Sequence, residues 1–530
     1  MRRRGRLSIL PTPVTFRSFL LAPASAVSAL ACSAPGPAPA LSKPNVLLIV
    51  IDDLNDWVGA FGGNPQTATP HLDRLAASGA TVFQNAYCAG PVCGPSRAAL
   101  LSGYLPHRTG VYLNPQNMLR SPLVQANPTL PEYFSHHGYT TLSSGKVFHR
   151  HPSPTGPGMD EGHWAFDHWV GAKGAGGPLR PRYDSRGRGE IVGEPLETSD
   201  GDGPGLSWGP SGPRETTKDH RTALWAAGEV GRKHGKPFFL AVGFSKPHLP
   251  WLVPQEYFDR HPLDQIKIPQ YRLDDLDDVL DANGRKRFEP SADFLWVRQS
   301  EELFRRAVQA YLAATSYADD CVGVLLDALD RSPHRDNTIV VVVGDNGWHL
   351  GEKLRFRKST LWEEATRVPL LIRTPGMTAR RDCNRVVGLI DMFPTLAELC
   401  KLPPKPDLDG RSIASLLADP TLAWPHPGLA AEGPGSFAVR DERWYLIHHR
   451  DGSEELYDMA SDQMQLTNLA GSKIAEVRAA RERLAALLPT KWHEGLPMDA
   501  EDWDARQAKR AQGVDRSLVQ LRRRTVRHSD

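Results

Sequence analysis

The chain has 530 residues, which is too long for one ordinary hydrophobic core and predicts two packed domains with extensions. Hydrophobic residues make up 40% of the sequence and aromatic residues 8%, as in soluble globular proteins. The 63 basic and 61 acidic residues give a net charge of +2, which argues against nucleic acid as a partner.

The N-terminal segment differs in kind from the rest of the chain. Four arginines among the first six residues precede a broken apolar run and then the small-residue stretch SAPGPAPA, an order that predicts a secretory signal peptide over residues 1–31. The apolar run is interrupted by Pro23 and is too short for a stable membrane span. Because Ala29–Cys32 resembles a bacterial lipoprotein cleavage site, both a plain signal peptide and a lipid anchor at Cys32 stay open. In either case we expect an exported protein, periplasmic or lipid-anchored at the cell envelope.

A linker over residues 32–43 leads into alternating strands and helices that continue to residue 424. The continuous apolar run NVLLIVIDD predicts a strand buried on both faces, and further strands are predicted at YTTLSSGKV, PFFLAVGF, NTIVVVVGDN and VPLLIRTPG. Helical spacing and capping residues predict helices at TPHLDRLAASG, TLPEYFSHHG, RTALWAAGEVGRKHG, residues 301–330 and LIDMFPTLAELC. The alternation predicts an α/β catalytic domain over residues 44–424, with a large, mostly parallel sheet between helices.

Three other parts of the chain depart from this alternation. Residues 151–218 are rich in glycine and proline, and because an insertion of this length is usually disordered or functional, we expect a loop bordering the active site. Short strands and turns over residues 425–495 predict a small antiparallel sheet covered by the helix KIAEVRAARERLAALLPTKW. Residues 496–530 are interpreted as a polar, basic and solvated tail.

Six cysteines are few for a disulfide-stabilised chain of this length, and their spacing matches no zinc site. One of them, Cys93, opens the segment CGPSRAALLSG. Pro95 favours the start of a helix and Gly103 its end. These residues place Cys93 at a helix N-terminus, where backbone N–H groups and the helix dipole favour an anion.

Acidic and amide side chains follow two of the predicted strands. Asp52 and Asp53 end the first strand, and Asp345 and Asn346 end the run IVVVVG. Neighbouring residues within a strand point to opposite faces, so the first two carboxylates can share an ion only where the chain leaves the sheet. An alternative is that one of them caps the following helix. With all four residues in view, the hard oxygen ligands favour a Ca²⁺ or Mg²⁺ site at the carboxyl ends of the strands.

Four basic residues are further candidates. Lys146 and His149 lie in GKVFH, His248 follows the strand PFFLAVGF in KPHLP, and Lys358 lies in EKLRFRK. Taken singly, each is better explained as an ordinary surface or turn residue. Only their combination with the cysteine and the carboxylates suggests catalysis.

The segment Cys93–Gly103 resembles the sulfatase signature, C-x-P-S-R-x-x-x-[LM]-[ST]-G, at every fixed position. The similarity extends over residues 45–465, and GKVFH, AVGFSKPHLP and GDNGWHLGE look most like motifs of iduronate-2-sulfatases. Those enzymes tend to have histidine where Asn346 stands, whereas asparagine is commoner across sulfatases. The resemblance implies the alkaline-phosphatase-like fold and hydrolysis of a sulfate ester on a sulfated glycan.

The resemblance also implies a modified nucleophile. In sulfatases, a maturation enzyme oxidises the signature cysteine to formylglycine, and the aldehyde hydrates to a geminal diol. One diol oxygen attacks sulfur, and loss of the second hydroxyl's proton then expels sulfate and regenerates the aldehyde. By this resemblance Cys93 becomes formylglycine and, with Asp52, Asp53, Asp345 and Asn346, binds one Ca²⁺.

Roles for the basic residues follow from the same resemblance. Arg97, one helical turn beyond the nucleophile, would stabilise the charged diol. Lys146 and Lys358 would hold sulfate oxygens. His149 would take the proton of the second hydroxyl, and His248 would protonate or hydrogen-bond the leaving oxygen.

Two alternatives stay open at this stage. Phosphonate monoester hydrolases and phosphodiesterases share this fold and in some cases the same cysteine signature. A non-catalytic glycan-binding protein, in which Cys93 stays a thiol, would have no need of Lys146, His149 and His248 together.

Overall fold

The structure is a computed structural model and describes residues 43–152, 159–170 and 206–498. The predicted signal peptide with Cys32, most of the basic tail and the larger part of the 151–218 insertion lie outside these residues. Within the described ranges, no helix combines the length and apolar character needed to cross a membrane.

The described residues form a nine-stranded sheet as the centre of the fold. Its strands are β1 (Asn45–Ile51), β2 (Thr81–Tyr87), β3 (Thr140–Gly145), β4 (His168–Val170), β5 (Phe238–Phe244), β6 (Thr338–Gly344), β7 (Arg367–Val368), β8 (Leu370–Arg373) and β9 (Arg381–Gly388). The strand order is β7-β2-β8-β6-β1-β5-β3-β4, and β9 also pairs with β2. Strands β6, β1, β5, β3 and β4 run parallel to one another, and β9 runs parallel to β2. The prediction of a mostly parallel α/β sheet is confirmed.

Three strands of the sheet were not predicted, and one predicted strand runs against the others. Strand β8, from VPLLIRTPG, is antiparallel to β6 and β2. Strand β2 contains two polar residues in its middle, and β9 is rich in charged residues, so neither shows a continuous apolar run. Strand β4 has only three residues and belongs to the 151–218 insertion. That the 151–218 insertion forms a loop bordering the active site stays a prediction, because residues 153–158 and 171–205 lie outside the described residues.

Helices cover both faces of the sheet. They are α1 (Pro70–Ala77), α2 (Cys93–Ser102), α3 (Pro106–Thr109), α4 (Pro122–Gln125), α5 (Leu130–His136), α6 (Lys218–Gly231), α7 (Gln255–Asp259), α8 (Ala292–Val297), α9 (Glu301–Asp330), α10 (Glu363–Thr366), α11 (Met392–Leu399) and α12 (Ala414–Ala418). Alternate residues of β1 enter two different cores: Leu47, Ile49 and Ile51 face one, and Val46, Leu48 and Val50 face the other. A side chain of this kind contributes about 1.5–3 kcal/mol when fully buried, so β1 is anchored firmly on both faces of the sheet.

A second, antiparallel sheet follows in the chain, as predicted. Its strands, in spatial order, are β10 (Gly428–Gly433), β11 (Ser436–Arg440), β12 (Trp444–His448) and β13 (Glu454–Asp458). Helix α13 (Ala475–Ala485) packs Val477, Ala480 and Leu484 against this sheet. The division of the chain into domains at residue 425 stays a prediction.

Short pairs of strands complete the described fold. They are His151–Pro152 with Met159–Asp160, Trp208–Pro210 with Trp251–Val253, and His349–Leu350 with Phe356–Arg357. The last of these pairs opens the loop that carries Lys358.

Candidate active site

The site lies where three parallel strands end at one edge of the sheet. Ile51, the last residue of β1, is paired with both Gly344 and Phe244. Backbone hydrogen bonds continue one residue beyond the strands: Asp52 N–H donates to the Phe244 carbonyl at 3.0 Å, and Asp345 N–H donates to the Ile51 carbonyl at 3.1 Å. The register of the sheet therefore brings the residues that follow the strands to one place.

Asp53 has a left-handed backbone conformation, with φ of +63°. This turn takes the chain out of the sheet, so the carboxylates of Asp52 and Asp53 can face the same site although they are neighbours. Tyr311 from α9 holds the turn: its hydroxyl donates to the Asp53 carbonyl at 2.8 Å and accepts from Asn55 N–H at 3.0 Å. Sequence reasoning missed Tyr311, because it is one of many buried residues on the predicted helix.

Cys93 is the first residue of α2 and is completely buried. The helix begins two residues before Pro95 and ends at Gly103, whose φ of +78° favours glycine. Asn114, which sequence reasoning also missed, accepts a hydrogen bond from Gly94 N–H at 2.8 Å and fixes the start of the helix. No sequence signal identifies Asn114, because it lies in an irregular segment.

The Arg97 guanidinium is completely buried and binds carboxylates from two strands. Its Nε donates to Asp345 Oδ2 at 2.6 Å, and its Nη2 donates to Asp52 Oδ1 at 3.2 Å. Its Nη1 donates to the carbonyl of Val147 at 3.1 Å. Because these acceptors occupy the guanidinium, Arg97 links the strand ends to α2 and balances their charge.

Two lysines lie near position 93. Lys146 forms an ion pair with Asp52, and Lys358 forms one with Asp53. The Lys358 ammonium also lies 2.8 Å from Cys93 Sγ. Of the two lysine side chains, 15% and 10% respectively remain exposed, so both can reach a ligand that enters the site.

The unmodified thiol at position 93 is unreactive in this environment. Burial and the Asp52 carboxylate raise the pKa of Cys93 to about 12, against the opposing effect of Lys146 and Lys358. The thiolate is the nucleophilic form of cysteine, so at neutral pH an unmodified Cys93 is a protonated, weak nucleophile. The neighbouring Cys88 is also free and buried, as are the other described cysteines.

The carboxylates of the site differ in their ionisation. Burial raises the pKa of Asp52, but Lys146, His248 and Arg97 outweigh this effect and hold the pKa well below its usual range. Burial raises the pKa of Asp345 to about 6 despite the nearby Arg97. Three buried carboxylates are costly to keep charged together, and a bound cation would lower that cost.

Two oxygen atoms of the site are buried without a hydrogen-bond partner among the described residues: Asp53 Oδ2 and Asn346 Oδ1. The Asn346 amide donates from Nδ2 to Asp53 Oδ1 and to the Gly347 carbonyl, both at 2.9 Å, which leaves its oxygen free to act as a ligand. Oxygens of Asp52, Asp53 and Asp345 also lie within 4.8 Å of one another. Buried polar atoms are rarely left unpaired, and this donor set fits a hard divalent cation.

His248 lies beyond the end of β5, and its Nε2 is 3.8 Å from Asp53 Oδ2. Its Nδ1 is 2.5 Å from the Leu249 carbonyl, which assigns the proton of a neutral ring to Nδ1. Desolvation by the surrounding protein lowers the pKa of His248 to about 4, although Asp53 and Asp52 oppose this shift and 38% of the side chain stays exposed. The ring is therefore neutral at neutral pH in the ligand-free site.

The loop that carries His248 is fixed by residues that sequence reasoning missed. The Asp219 carboxylate, in the first turn of α6, accepts hydrogen bonds from the backbone N–H groups of Ser245 and Lys246 at 2.9 and 2.8 Å. The Lys246 ammonium donates to the carbonyls of His248 and Pro250 at 3.0 and 2.6 Å. Asp219 also occupies a position typical of an ordinary helix start, which concealed this role.

His149 follows Lys146 beyond the end of β3. Burial and the positive charge of Lys146 lower the pKa of His149 well below its usual range. Within the described ranges, its ring makes no hydrogen bond, so the structure places it beside the charged cluster without defining a partner. All ten sequence-predicted site residues thus surround one edge of the sheet. Nine of them contact one another directly: Asp52, Asp53, Cys93, Arg97, Lys146, His248, Asp345, Asn346 and Lys358.

Comparison with known proteins assigns the chain to a family. A family model described as Sulfatase matches residues 44–402, and a second one, described as N-sulphoglucosamine sulphohydrolase, C-terminal, matches residues 351–488. A protein named Sulfatase from Formosa agariphila is 35% identical to this chain, covering 85% of this chain and 87% of its own. The chain belongs to the sulfatase family. This sulfatase is thus a sulfuric ester hydrolase.

Two further comparisons refine the relationship. The sulfatase is 31% identical to iduronate 2-sulfatase of Mus musculus, over 75% of this chain and 76% of that protein. The crystal structure of a phosphonate monoester hydrolase of Agrobacterium radiobacter matches with a TM-score of 0.64 at 21% identity, covering 84% of this chain and 94% of that chain. The second likeness concerns the fold alone, and the predicted alkaline-phosphatase-like architecture is confirmed.

Proposed function

We propose that this sulfatase is exported and removes sulfate from a sulfated glycan, with formylglycine at position 93 as its nucleophile and one Ca²⁺ as its metal. The observation that carries this proposal is geometric: Cys93 opens α2 beside the carboxylates of the strand ends, and the Lys358 ammonium lies 2.8 Å from its Sγ. The raised pKa of the unmodified thiol, about 12, supports the proposal. A site that relied on the thiol itself would lower its pKa. Conversion of the thiol to a hydrated aldehyde replaces this poor nucleophile with a geminal diol, one oxygen of which would attack sulfur.

The charges of the site support a metal. Asp52, Asp53 and Asp345 carry three negative charges when ionised, and Arg97, Lys146 and Lys358 carry three positive charges. Without a further cation these charges cancel, and an anionic sulfate ester would gain little from entering. Asp53 Oδ2 and Asn346 Oδ1, together with Asp52 and Asp345, would hold the ion. A bound Ca²⁺ would supply positive charge that polarises the nucleophile and the sulfate oxygens.

The contacts of the three basic residues suggest that each has a different role. Because Arg97 is occupied by Asp52 and Asp345, its proposed task is to hold α2 and the strand ends together. Lys358 lies against position 93 and would donate to the nucleophilic oxygen or to a sulfate oxygen bound there. Lys146, which pairs with Asp52, would hold a second sulfate oxygen.

The two histidines are proposed to handle protons. His248 is neutral in the ligand-free site, so its protonation would follow the arrival of the negatively charged sulfate, after which Nε2 would donate to the leaving oxygen. His149 is held neutral by burial and by Lys146, which suits a proton acceptor. We propose that it takes the proton of the second hydroxyl at position 93 when sulfate is released.

The substrate class is proposed from the likeness to iduronate 2-sulfatase and from the shared motifs GKVFH, AVGFSKPHLP and GDNGWHLGE. Asn346 departs from the histidine that iduronate-2-sulfatases tend to have, so a uronic acid 2-sulfate is the first substrate to test within a wider panel of sulfated sugars. A phosphonate or phosphodiester substrate is the alternative, supported by the likeness in fold and by a cysteine signature that some of those hydrolases share.

A combined experiment tests the proposal. The protein is produced in a host with formylglycine-generating machinery, and the peptide that contains position 93 is analysed by mass spectrometry. We expect an aldehyde at position 93 and a thiol at Cys88, which lacks proline and arginine at the same offsets. The same preparation is assayed with a disaccharide carrying a 2-sulfated uronic acid, an aryl sulfate and an aryl phosphodiester. An active enzyme with an unmodified thiol, or a preference for the phosphodiester, would contradict the proposal.

Export is tested separately, because it depends on residues 1–31 and on Cys32. Expression of the full chain in a bacterial host, followed by fractionation and mass spectrometry of the mature N-terminus, distinguishes cleavage before Cys32 with lipidation from cleavage by an ordinary signal peptidase. Recovery of the intact N-terminus in the cytoplasm would contradict both.

A further inference from the structure

The loop that carries Lys358, residues 351–359, has an unusual backbone. Five of its nine residues have a positive φ: Gly351, Lys353, Leu354, Arg357 and Ser359. Four of them are not glycine, and L-residues enter this region at a cost. Such backbone conformations persist only where the surrounding structure imposes them, and they cluster at functional sites.

Contacts at the distal end of the loop converge on Lys353. Its side chain is completely buried, and its ammonium donates to Asp275 Oδ1 at 2.9 Å and to the Gln465 backbone carbonyl. The ammonium also lies over the rings of Trp362 and Tyr457, at 5.5 and 5.1 Å from their centroids. Lys353 thus joins the loop to two distant parts of the chain.

The partners of Lys353 are themselves held in place. Glu455, from β13, accepts hydrogen bonds from Trp362 Nε1 at 2.8 Å and from the Tyr457 hydroxyl at 2.5 Å. The Gln465 side chain accepts from Glu363 N–H at 2.8 Å. The aromatic walls and the carbonyl that surround the ammonium therefore form a rigid socket, which we call the Lys353 socket (Asp275, Trp362, Tyr457 and Gln465).

The proximal end of the loop ends in the active site. Arg357 Nε donates to Asp293 Oδ2 at 2.5 Å, and Ser359 N–H donates to the Pro91 carbonyl at 3.0 Å. Between these two anchors, Lys358 reaches Cys93 Sγ and Asp53. Four residues separate Lys353 from Lys358, and they include the last residue of a short 3-10 helix (Glu352–Leu354) and the two-residue strand Phe356–Arg357.

We infer that Lys353 is a positioning residue for Lys358: its burial in the socket holds the strained loop and thereby sets the place of the Lys358 ammonium beside position 93. This inference rests on the proposed role of Lys358. The C-terminal antiparallel sheet supplies Tyr457 and Glu455, so it contributes to catalysis through the loop and without touching the substrate.

The test is a double-mutant cycle on the mature enzyme, assayed with an activated aryl sulfate. Lys353→Met keeps the apolar stem and removes the ammonium, and we expect kcat/KM to fall about tenfold to a hundredfold, since small displacements of a catalytic group have effects of this size. In the Lys358→Ala background the same substitution should lower kcat/KM by less than about twofold further, because the group it positions is gone.

The matched control is Lys286→Met, the same substitution at a half-exposed lysine whose ion-pair partner is Asp277. It should leave kcat/KM within about twofold of the wild type, as surface substitutions generally do. If Lys353→Met does not fold, Asp275→Asn replaces it, because asparagine keeps the size and an acceptor oxygen while it removes the charge. A smaller loss with the same dependence on Lys358 is then expected.

The outcomes separate the inference from the proposed function. Near wild-type activity of Lys358→Ala would overturn the role of Lys358 and the inference with it. A strong loss for Lys358→Ala, with unchanged activity of folded Lys353→Met or Asp275→Asn, would overturn the positioning role alone. Equal fold losses for the Lys353 substitution in both backgrounds, accompanied by a lower melting temperature, would identify Lys353 as merely structural.

Discussion

Two regions of the molecule deliver charged groups to the same site by different means. Asp52 and Asp345 follow strands whose register is fixed by a ladder of backbone hydrogen bonds and by burial on both faces. Lys358 comes from the loop 351–359, whose backbone is held by side-chain contacts with remote segments. The strand ends are rigid because of local, repetitive interactions, whereas the loop depends on a few individual ones. We therefore expect a single substitution at a strand end to remove one functional group without moving the others. A single substitution in the contacts of the loop 351–359 should displace the Lys358 ammonium.

The largest effect is expected at a strand end. Asp345→Ala removes a metal-ligand candidate that also accepts from Arg97 Nε and from Asp53 N–H. We expect activity to fall about a thousandfold or more, because loss of the metal removes several kcal/mol of transition-state stabilisation. Elemental analysis should show loss of calcium, while circular dichroism should show an intact fold, since the register of β6 does not depend on this side chain.

The control for that substitution is Asp382→Ala, which removes an exposed carboxylate that pairs with Arg380 at the surface. It should retain calcium and activity. Full activity of metal-free Asp345→Ala would show that the strand ends do not form the metal site.

The loop gives the next largest effect. Lys358→Ala removes the ammonium nearest to position 93, and we expect kcat to fall about a hundredfold to a thousandfold, the usual result of removing one stabilising donor. Calcium content should be unchanged, because the strand-end oxygens remain. Steady-state kinetics together with elemental analysis check both parts, and loss of calcium in this variant would mean that loop and strand ends form one inseparable unit.

A third prediction concerns His248, whose loop also follows a strand end. His248→Ala should lower hydrolysis of a sugar sulfate by about a hundredfold, because an alkoxide leaving group needs a proton. An aryl sulfate should lose much less, because a phenolate leaves with little help. His149→Ala should impair both substrates equally, since it acts on the enzyme's own hydroxyl. Equal losses on the two substrates for His248→Ala would reduce it to a sulfate-binding residue and make Lys358 the next candidate for the acid.

The pH dependence of kcat/KM is a second test of His248 as the acid. The pKa of His248 in the ligand-free site is lowered to about 4, so above that pH its protonated fraction increases as the pH falls. If the protonated ring is the acid, kcat/KM for the sugar sulfate should rise toward acidic pH as long as the protein stays folded, and His248→Ala should flatten this rise. A profile for the sugar sulfate that is identical in the two proteins would contradict the assignment.

The smallest effect is expected where a strand end loses one supporting hydrogen bond. Tyr311→Phe removes the hydroxyl that bonds the Asp53 carbonyl and Asn55 N–H. It should lower the free energy of unfolding by about 1–2 kcal/mol, yet change kcat/KM less than about threefold, because the sheet still places Asp53. Thermal unfolding and kinetics on the same sample check this. A loss of activity as large as that of Lys353→Met would remove the distinction between rigid strand ends and the supported loop.

Much of the fold followed from local patterns. Continuous apolar runs marked β1, β5, β6 and β8, and capping residues with helical spacing marked α9 within its observed bounds. The strands that escaped prediction either carry polar residues in their middle, as β2 does, or are as short as β4. Pairing partners decide whether such segments become strands, and partners are not visible in a local window of sequence.

What the sequence determined by itself was the chemistry of the site: a cysteine with proline and arginine at fixed offsets, and acidic residues directly after buried parallel strands. Parallel strands end at one edge, so this much of the geometry could be inferred. Only the tertiary structure decided which atoms meet. It showed Arg97 bound by Asp52 and Asp345, Asp53 Oδ2 and Asn346 Oδ1 left without partners, and the loop of Lys358 held through Lys353. These contacts join residues far apart in the chain, and their energies depend on burial and on neighbouring charges, which no sequence spacing encodes.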